Sequence, residues 1–206
     1  HITQSAFDEM LRLARALRDL TSLPIGVSVL WNDYESALRI AQDIGGSFIR
    51  VPVFVDTVQT EYGIMQPQAD AVVAFRASLG ATDVAIYADI HVKHATLLSN
   101  ATIAESAALA IERGADSLIV TGRWTGDSPV MPDLRAVREV VGSFPIICGS
   151  GVDASNVGEL LSVADGAIVS TSLKADTSAS HEQNVKPYEV RIDVSKVRAL
   201  TTAAHT

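Results

Sequence analysis

Cysteine is almost missing from this sequence. The 206 residues carry one, Cys148, so no internal disulfide can form. It lies in the apolar run Phe144-Pro145-Ile146-Ile147-Cys148, where a small buried thiol is expected, and this usage fits a reducing, cytoplasmic compartment. Positive charge is also scarce: Lys and Arg number 16 against 24 Asp and Glu, a formal net charge of −8. That balance excludes the basic surface a nucleic-acid backbone requires. No apolar run approaches the ~18 residues of a spanning helix, which excludes a transmembrane segment, and the N-terminus has no charged-then-apolar signal pattern. What the chain does have is apolar content, 48% with a mean hydropathy of +0.23. It is enough for one substantial core and short for two, so residues 1–206 are expected to form a single domain.

Helical and extended patterns alternate along the whole chain. Phe7, Met10, Leu11, Ala14 and Leu17 recur at spacings of three and four within 5–20, the mark of an amphipathic helix that Thr3 or Ser5 caps. Strands are predicted at 25–30, 47–54, 84–92, 117–121, 144–148 and 166–169, and helices at 34–44, 67–79, 101–112, 132–141, 154–163 and 187–203. The long connection 56–66 suggests a lid or binding loop, or a simple surface excursion, and polar residues 176–183 suggest a flexible loop. Near-continuous apolar strands that alternate with helices indicate a parallel sheet covered by helices. A doubly wound sheet and a (β/α)8 barrel both meet that description. The barrel is favoured because polar side chains gather at strand C-terminal ends, where barrels keep their sites, although six strands leave it two strand-helix units short.

The most informative stretch is Asp83 to His94. Alternation puts Val84, Ile86, Ala88, Ile90 and Val92 on one face and Tyr87, Asp89, His91 and Lys93 on the other. Asp89, His91 and Lys93 are therefore the candidate catalytic residues. Lys93 suits Schiff-base chemistry if burial or Arg50 lowers its pKa, and Asp89 with His91 suits acid/base transfer. Metal ligation together with His94 is the weakest option, because alternation turns His94 away; no cofactor is specified. A salt-bridge network of Arg50, Asp89 and Lys93 filling the barrel is the structural alternative. Arg50, in mid-strand among apolar residues, implies a polar interior or a bound anion.

Two turns follow the last two strands: the glycine-bearing Gly149, Ser150 and Gly151 after one, and Ser170, Thr171, Ser172 and Lys174, in a stretch that carries Gly166, after the other. Backbone N–H groups of such turns can cradle a phosphate, and barrels keep that cradle after their last two strands; the alternative is tight turns that need glycine. Asn32, at a strand end, is placed to hold a substrate hydroxyl or to cap a loop. Trp31 and Trp124, each just after a strand end, could form an apolar wall over a ring or base, with core packing under loops the commoner fate, and Arg123 could clamp an anion or stay solvated. The expected ligand is a small phosphorylated metabolite.

The segments Val29-Leu30-Trp31-Asn32-Asp33, Phe48-Ile49-Arg50-Val51, Ala88-Asp89-Ile90-His91-Val92-Lys93-His94-Ala95, Gly149-Ser150-Gly151-Val152 and Thr171-Ser172-Leu173-Lys174 together resemble the BtpA/SgcQ family over about residues 5–203. The resemblance implies a (β/α)8 TIM barrel of the ribulose-phosphate-binding type. It also implies two upstream strand-helix units, including a His-Leu-Pro-Pro-Leu-Pro-Gly segment, so the chain, which starts at His1, looks truncated and apparently lacks the first two strands. Departures fall at Ser28 and Trp31, where Asn and Arg are usual, at Pro52 for Asn and at Ser170 for Gly; they bear on substrate contacts more than on fold. The family takes its name from photosystem I biogenesis, and the resemblance supplies no reaction. Two expectations follow: an enzyme acting on a sugar phosphate or nucleotide, or a non-catalytic assembly factor for a membrane complex. Unclosed barrel edges further suggest a homo-oligomer.

Overall fold

A computed structural model describes residues 1–122, 124, 126–175 and 191–205. Thr3 accepts a hydrogen bond from the Ala6 amide and opens helix α1 (Gln4–Leu20). Strand β1 (Gly26–Val27) follows, then α2 (Tyr34–Asp43), capped by Asp33, and β2 (Phe48–Val51). Helix α3 (Ala69–Ser78) leads to β5 (Ala85–Ile90). Helix α4 (Ile103–Glu112) begins with a reciprocal capping box of Thr102 and Glu105, which satisfies two amides that a helix start leaves free. The chain continues through β7 (Ser117–Val120), α5 (Met131–Val141), β8 (Ile146–Cys148), α6 (Val157–Leu161), β9 (Gly166–Ala167), a 3-10 turn at Thr171–Leu173 and α7 (Val194–Ala204).

The connection 56–66 is not an irregular loop. It folds as the antiparallel hairpin β3 (Val58–Thr60) and β4 (Gly63–Met65), and β6 (Thr96–Leu97) joins β3 from the far side of β5. Trp31, Met65, Ala95 and Leu97 pack there on the buried side chains of Val53, Val58 and Val92. The expected flexible loop at 176–183 and the first part of the expected last helix lie outside the described residues.

Six strands form one parallel sheet in the order β1-β2-β5-β7-β8-β9. Each new strand of this sheet adds beside the preceding one, so the order never reverses. A doubly wound sheet needs such a reversal; a barrel does not. The fold is therefore an α/β barrel of the TIM type, represented among the described residues by six strands, with β1 and β9 each paired on one side. Ile49, Val51, Ile86, Ala88, Ile90, Leu118, Val120, Ile146 and Cys148 face the helices and form the main core. The other face is the interior of the curl. In-register partners share a face, so Arg50, Tyr87 and Ser117 form one interior row and Asp89, Ile119, Ile147 and Gly166 the next. Phe48 and Tyr87 stack in that interior with centroids 4.3 Å apart.

Candidate active site

Because all six strands are parallel, their C-terminal ends share one rim. Arg50 and Asp89 meet just inside it. The guanidinium Nε donates to Oδ1 at 2.8 Å and Nη2 to Oδ2 at 2.6 Å, a two-point fork that matches carboxylate geometry. The Asp89 side chain is 0% exposed and that of Arg50 20%. Burial pushes the Asp89 carboxyl up from its ordinary pKa, while the Arg50 hydrogen bonds and charge and the charge of Lys93 oppose the shift. Arg50 is held charged: burial works against it, and the hydrogen bonds to Asp89 and its charge outweigh that cost.

Lys93 stands half-buried beside this pair. Burial first, and the nearby Arg50 charge second, lower its pKa, with Asp89 pulling the other way. Its backbone N–H donates to Thr121 Oγ1 at 3.2 Å. Thr121 lies just past the end of β7, two residues beyond Ile119, and was not foreseen, although its parity was readable. The next residue, His94, has a positive φ of 59°. Its ring lies 5.5 Å from that of Trp124, tilted by 58°, and burial followed by the Lys93 charge lowers its pKa.

His91 does not join Asp89 and Lys93. Regular extension ends at Ile90, and His91 takes a φ of 50°, which breaks the alternation that put the three on one face. Its backbone N–H reaches Asp56 Oδ2 at 3.4 Å, and its Nε2 lies 3.3 Å from Ser106 Oγ, which donates to Asp56 Oδ1 at 2.7 Å. Ser106 is 1% exposed and Asp56 8%. Ser106 had a readable signal: it is a hydroxyl on the buried face of α4, beside Ala107 and Ala110.

Asn32 takes the backbone-binding one of its two expected roles. Its Nδ2 donates to the Val53 carbonyl at 2.6 Å and its Oδ1 accepts from the Val53 amide at 2.9 Å. The carboxamide thus prolongs the β1–β2 pairing like a further strand residue, and is not held out for a substrate hydroxyl. Trp31 packs under the small sheet and Trp124 sits on the rim, so the two indoles do not form one wall. Arg123 lies outside the described residues. Among the described residues no three His, Cys, Asp or Glu side chains converge as a metal-binding group.

The turns after β8 and β9 adjoin one another at this same rim. Ser172 Oγ donates to the Val152 carbonyl at 2.7 Å, tying the turn after β9 to the turn after β8. Gly151 has a φ of 60°, and a Cβ there would collide with the backbone of Asp127 and Ser128; one at Gly149 would collide with Ile119. Close packing of loop on loop and loop on interior therefore requires both glycines. Ser150 is buried, with its hydroxyl on the Trp124 carbonyl at 3.3 Å. Ser170 and Thr171 are exposed. Lys174 bridges Ile192 through its backbone, and its carbonyl accepts from Lys196 Nζ at 2.6 Å.

Known proteins share this architecture. Phosphoribosyl anthranilate isomerase of Thermus thermophilus superposes with a TM-score of 0.61 at 14% identity, covering 95% of this chain and 80% of that one. A structure described as native KDPGal gives 0.55 at 15% identity, covering 95% and 74%. Such identities speak for the fold alone. In sequence, the photosystem I biogenesis protein BtpA of Synechocystis is 39% identical over 166 residues, 80% of this chain and 58% of that protein. An uncharacterised protein of Pyrococcus furiosus is 40% identical over 163 residues, 79% of this chain and 61% of its own length. The chain thus spans about three-fifths of these relatives. The sequence profile of the BtpA family matches residues 2–206, and the chain belongs to that family.

Proposed function

We propose that this rim is an enzyme site for a small phosphorylated metabolite, a sugar phosphate or a nucleotide, with Lys93 as its reactive group. The observation that carries the reading is the pairing of a half-buried, pKa-lowered Lys93 with a fixed Arg50–Asp89 ion pair, at the rim that two interlocked turns overlook. A lysine deprotonated more readily than usual supplies a nucleophilic amine or a proton carrier. In imine chemistry the amine attacks a substrate carbonyl, and the carbinolamine loses water to leave a protonated imine on Lys93. Arg50 keeps the developing cation from being neutralised by Asp89, whose oxygens it occupies. In acid/base chemistry Lys93 moves the proton itself. Backbone N–H groups of Ser150–Val152 and of Ser170–Ser172 take the phosphate, since those of Gly149, Leu173 and Lys174 already donate to the carbonyls of Val120, Ser170 and Thr171. His91 acts on the site through the position of the chain that leads to Lys93.

Borohydride reduction of the full chain in the presence of phosphorylated aldehydes and ketones tests this. The expected result is a covalent adduct on the Lys93 peptide that Lys93→Met abolishes. Turnover of any panel member that survives Lys93→Met would remove Lys93 from the chemistry.

A second reading, a non-catalytic assembly factor for a membrane complex, draws on the exposed leucines Leu13, Leu17 and Leu20 of α1 and on the name of the Synechocystis relative. No helix of the described chain is long and apolar enough to cross a membrane. If no phosphometabolite raises the melting temperature of the chain, that reading gains. The proposal also includes self-association in the cytoplasm: β1 and β9 present unpaired edges within the described sheet, and light scattering behind a sizing column reads the mass directly.

A further inference from the structure

The two tryptophans are used in opposite ways. Trp31 packs into the small core with Val53, Val58 and Val92, whereas Trp124 is 50% exposed. The exposure is not slackness of the chain. The Trp124 amide donates to Asp127 Oδ2 at 3.2 Å, and its carbonyl accepts from the Asp127 amide at 3.1 Å and from Ser150 Oγ at 3.3 Å. An indole left half in water forgoes much of the hydrophobic gain that burial would bring, so stability does not account for its place. Its ring neighbour is His94, with centroids 5.5 Å apart and planes tilted by 58°. Burial, and after it the Lys93 charge, lowers the pKa of that imidazole, which favours its uncharged form. Trp124 therefore stands between Lys93-His94 on one side and the Gly149–Gly151 turn on the other.

We infer that Trp124, backed by His94, is a stacking platform for the base of a nucleoside monophosphate whose phosphate sits at Gly149–Val152 and whose sugar lies over Lys93. This rests on the phosphate reading above and narrows its substrate class. Stacking tolerates any base, since each has a π-face, and it uses the ring that a simple sugar phosphate would leave idle. Uridine, cytidine and adenosine monophosphates are thus all expected to bind, with modest differences.

Calorimetric titration of the full chain with AMP, CMP, ribose 5-phosphate and adenosine decides it. AMP and CMP are expected to bind about tenfold or more tighter than ribose 5-phosphate, the scale of one stacked base. Trp124→Phe keeps most of that margin, and Trp124→Ala brings both nucleotides down to the ribose 5-phosphate level. The melting temperature of each variant checks its fold, which an exposed position leaves intact. Equal binding of ribose 5-phosphate and both nucleotides, unchanged by Trp124→Ala, would overturn the platform and leave the phosphate site standing. Adenosine binding as tightly as AMP and lost in Trp124→Ala keeps the platform and removes the phosphate cradle. Silence of all four probes overturns both.

Discussion

Two polar knots lie at the end of β5, and they differ in what they leave available. Arg50 and Asp89 form an ionic pair on the interior face, and beside it Lys93 keeps an amine half-exposed. Asp56, Ser106 and His91 form a knot that joins the connection between β2 and β3, the turn after β5 and α4, and its hydroxyl and carboxylate turn inward on each other. The first knot sets an electrostatic field where a ligand can reach. The second fixes the path of the backbone between Ile90 and Lys93. A buried charge is costly unless it is paired, whereas a buried hydroxyl needs only a hydrogen bond, so the two should respond differently to loss of one member.

Breaking the ionic knot should have the largest effect. Arg50→Met leaves the fully buried Asp89 carboxylate without its fork, and urea unfolding is expected to show a loss of about 3–5 kcal/mol. Adding Asp89→Leu to that variant should recover most of the loss, because an apolar pair needs no partner. If the double variant stays as unstable as the single one, the pair does more than neutralise a buried charge. The second knot should be milder. Ser106→Ala removes the donor to Asp56 Oδ1 and is expected to lose about 1–3 kcal/mol in the same measurement, with acylation of Lys93, followed by peptide mass mapping, close to that of the parent. A fall in Lys93 labelling as deep as in Arg50→Met would show that the two knots are one network.

Smaller effects sharpen the contrast. Thr121→Val removes the acceptor for the Lys93 amide and should lower stability by about 1 kcal/mol, visible as a shifted urea midpoint. The pH dependence isolates Lys93 itself. Its folded pKa lies below the ordinary value of 10.5, so between the two the unfolded chain holds the extra proton. Stability should therefore rise with pH across that window, and below it the charged amine imposes a constant penalty. Urea melts of the parent and of Lys93→Met between neutral pH and pH ~10.5 should show the rise in the parent and its loss in the variant; a parent curve that falls relative to the variant would reverse the assignment.

Local pattern made much of this legible. Spacings of three and four placed α1 and α2 within a residue or two, and the alternation Ala85-Tyr87-Asp89 put the carboxylate on the interior side that register partners confirm. Arg50 advertised a buried partner because a lone guanidinium in an apolar strand is untenable. His91 was misplaced for a physical reason: a positive φ at a non-glycine residue resets the alternation, and no period-2 pattern contains it. For Asn32 the sequence left two roles open, and the partner that decides between them, the Val53 backbone, lies opposite only in the fold. The hairpin at 58–65 held a glycine turn signal at Gly63, yet its third strand, β6, comes from beyond β5.

Periodicity, glycine punctuation and the order of elements were enough to establish a parallel sheet under helices, and a carboxylate and an amine near one strand end, because those features depend on neighbours a few residues apart. Folding in three dimensions settled which groups meet: Asp56 with Ser106 across 50 positions, Arg50 with Asp89 across 39, and Trp124 with His94 at the rim. Such pairings require strand register, a left-handed backbone step and loop-on-loop packing, each set by atoms far away along the chain.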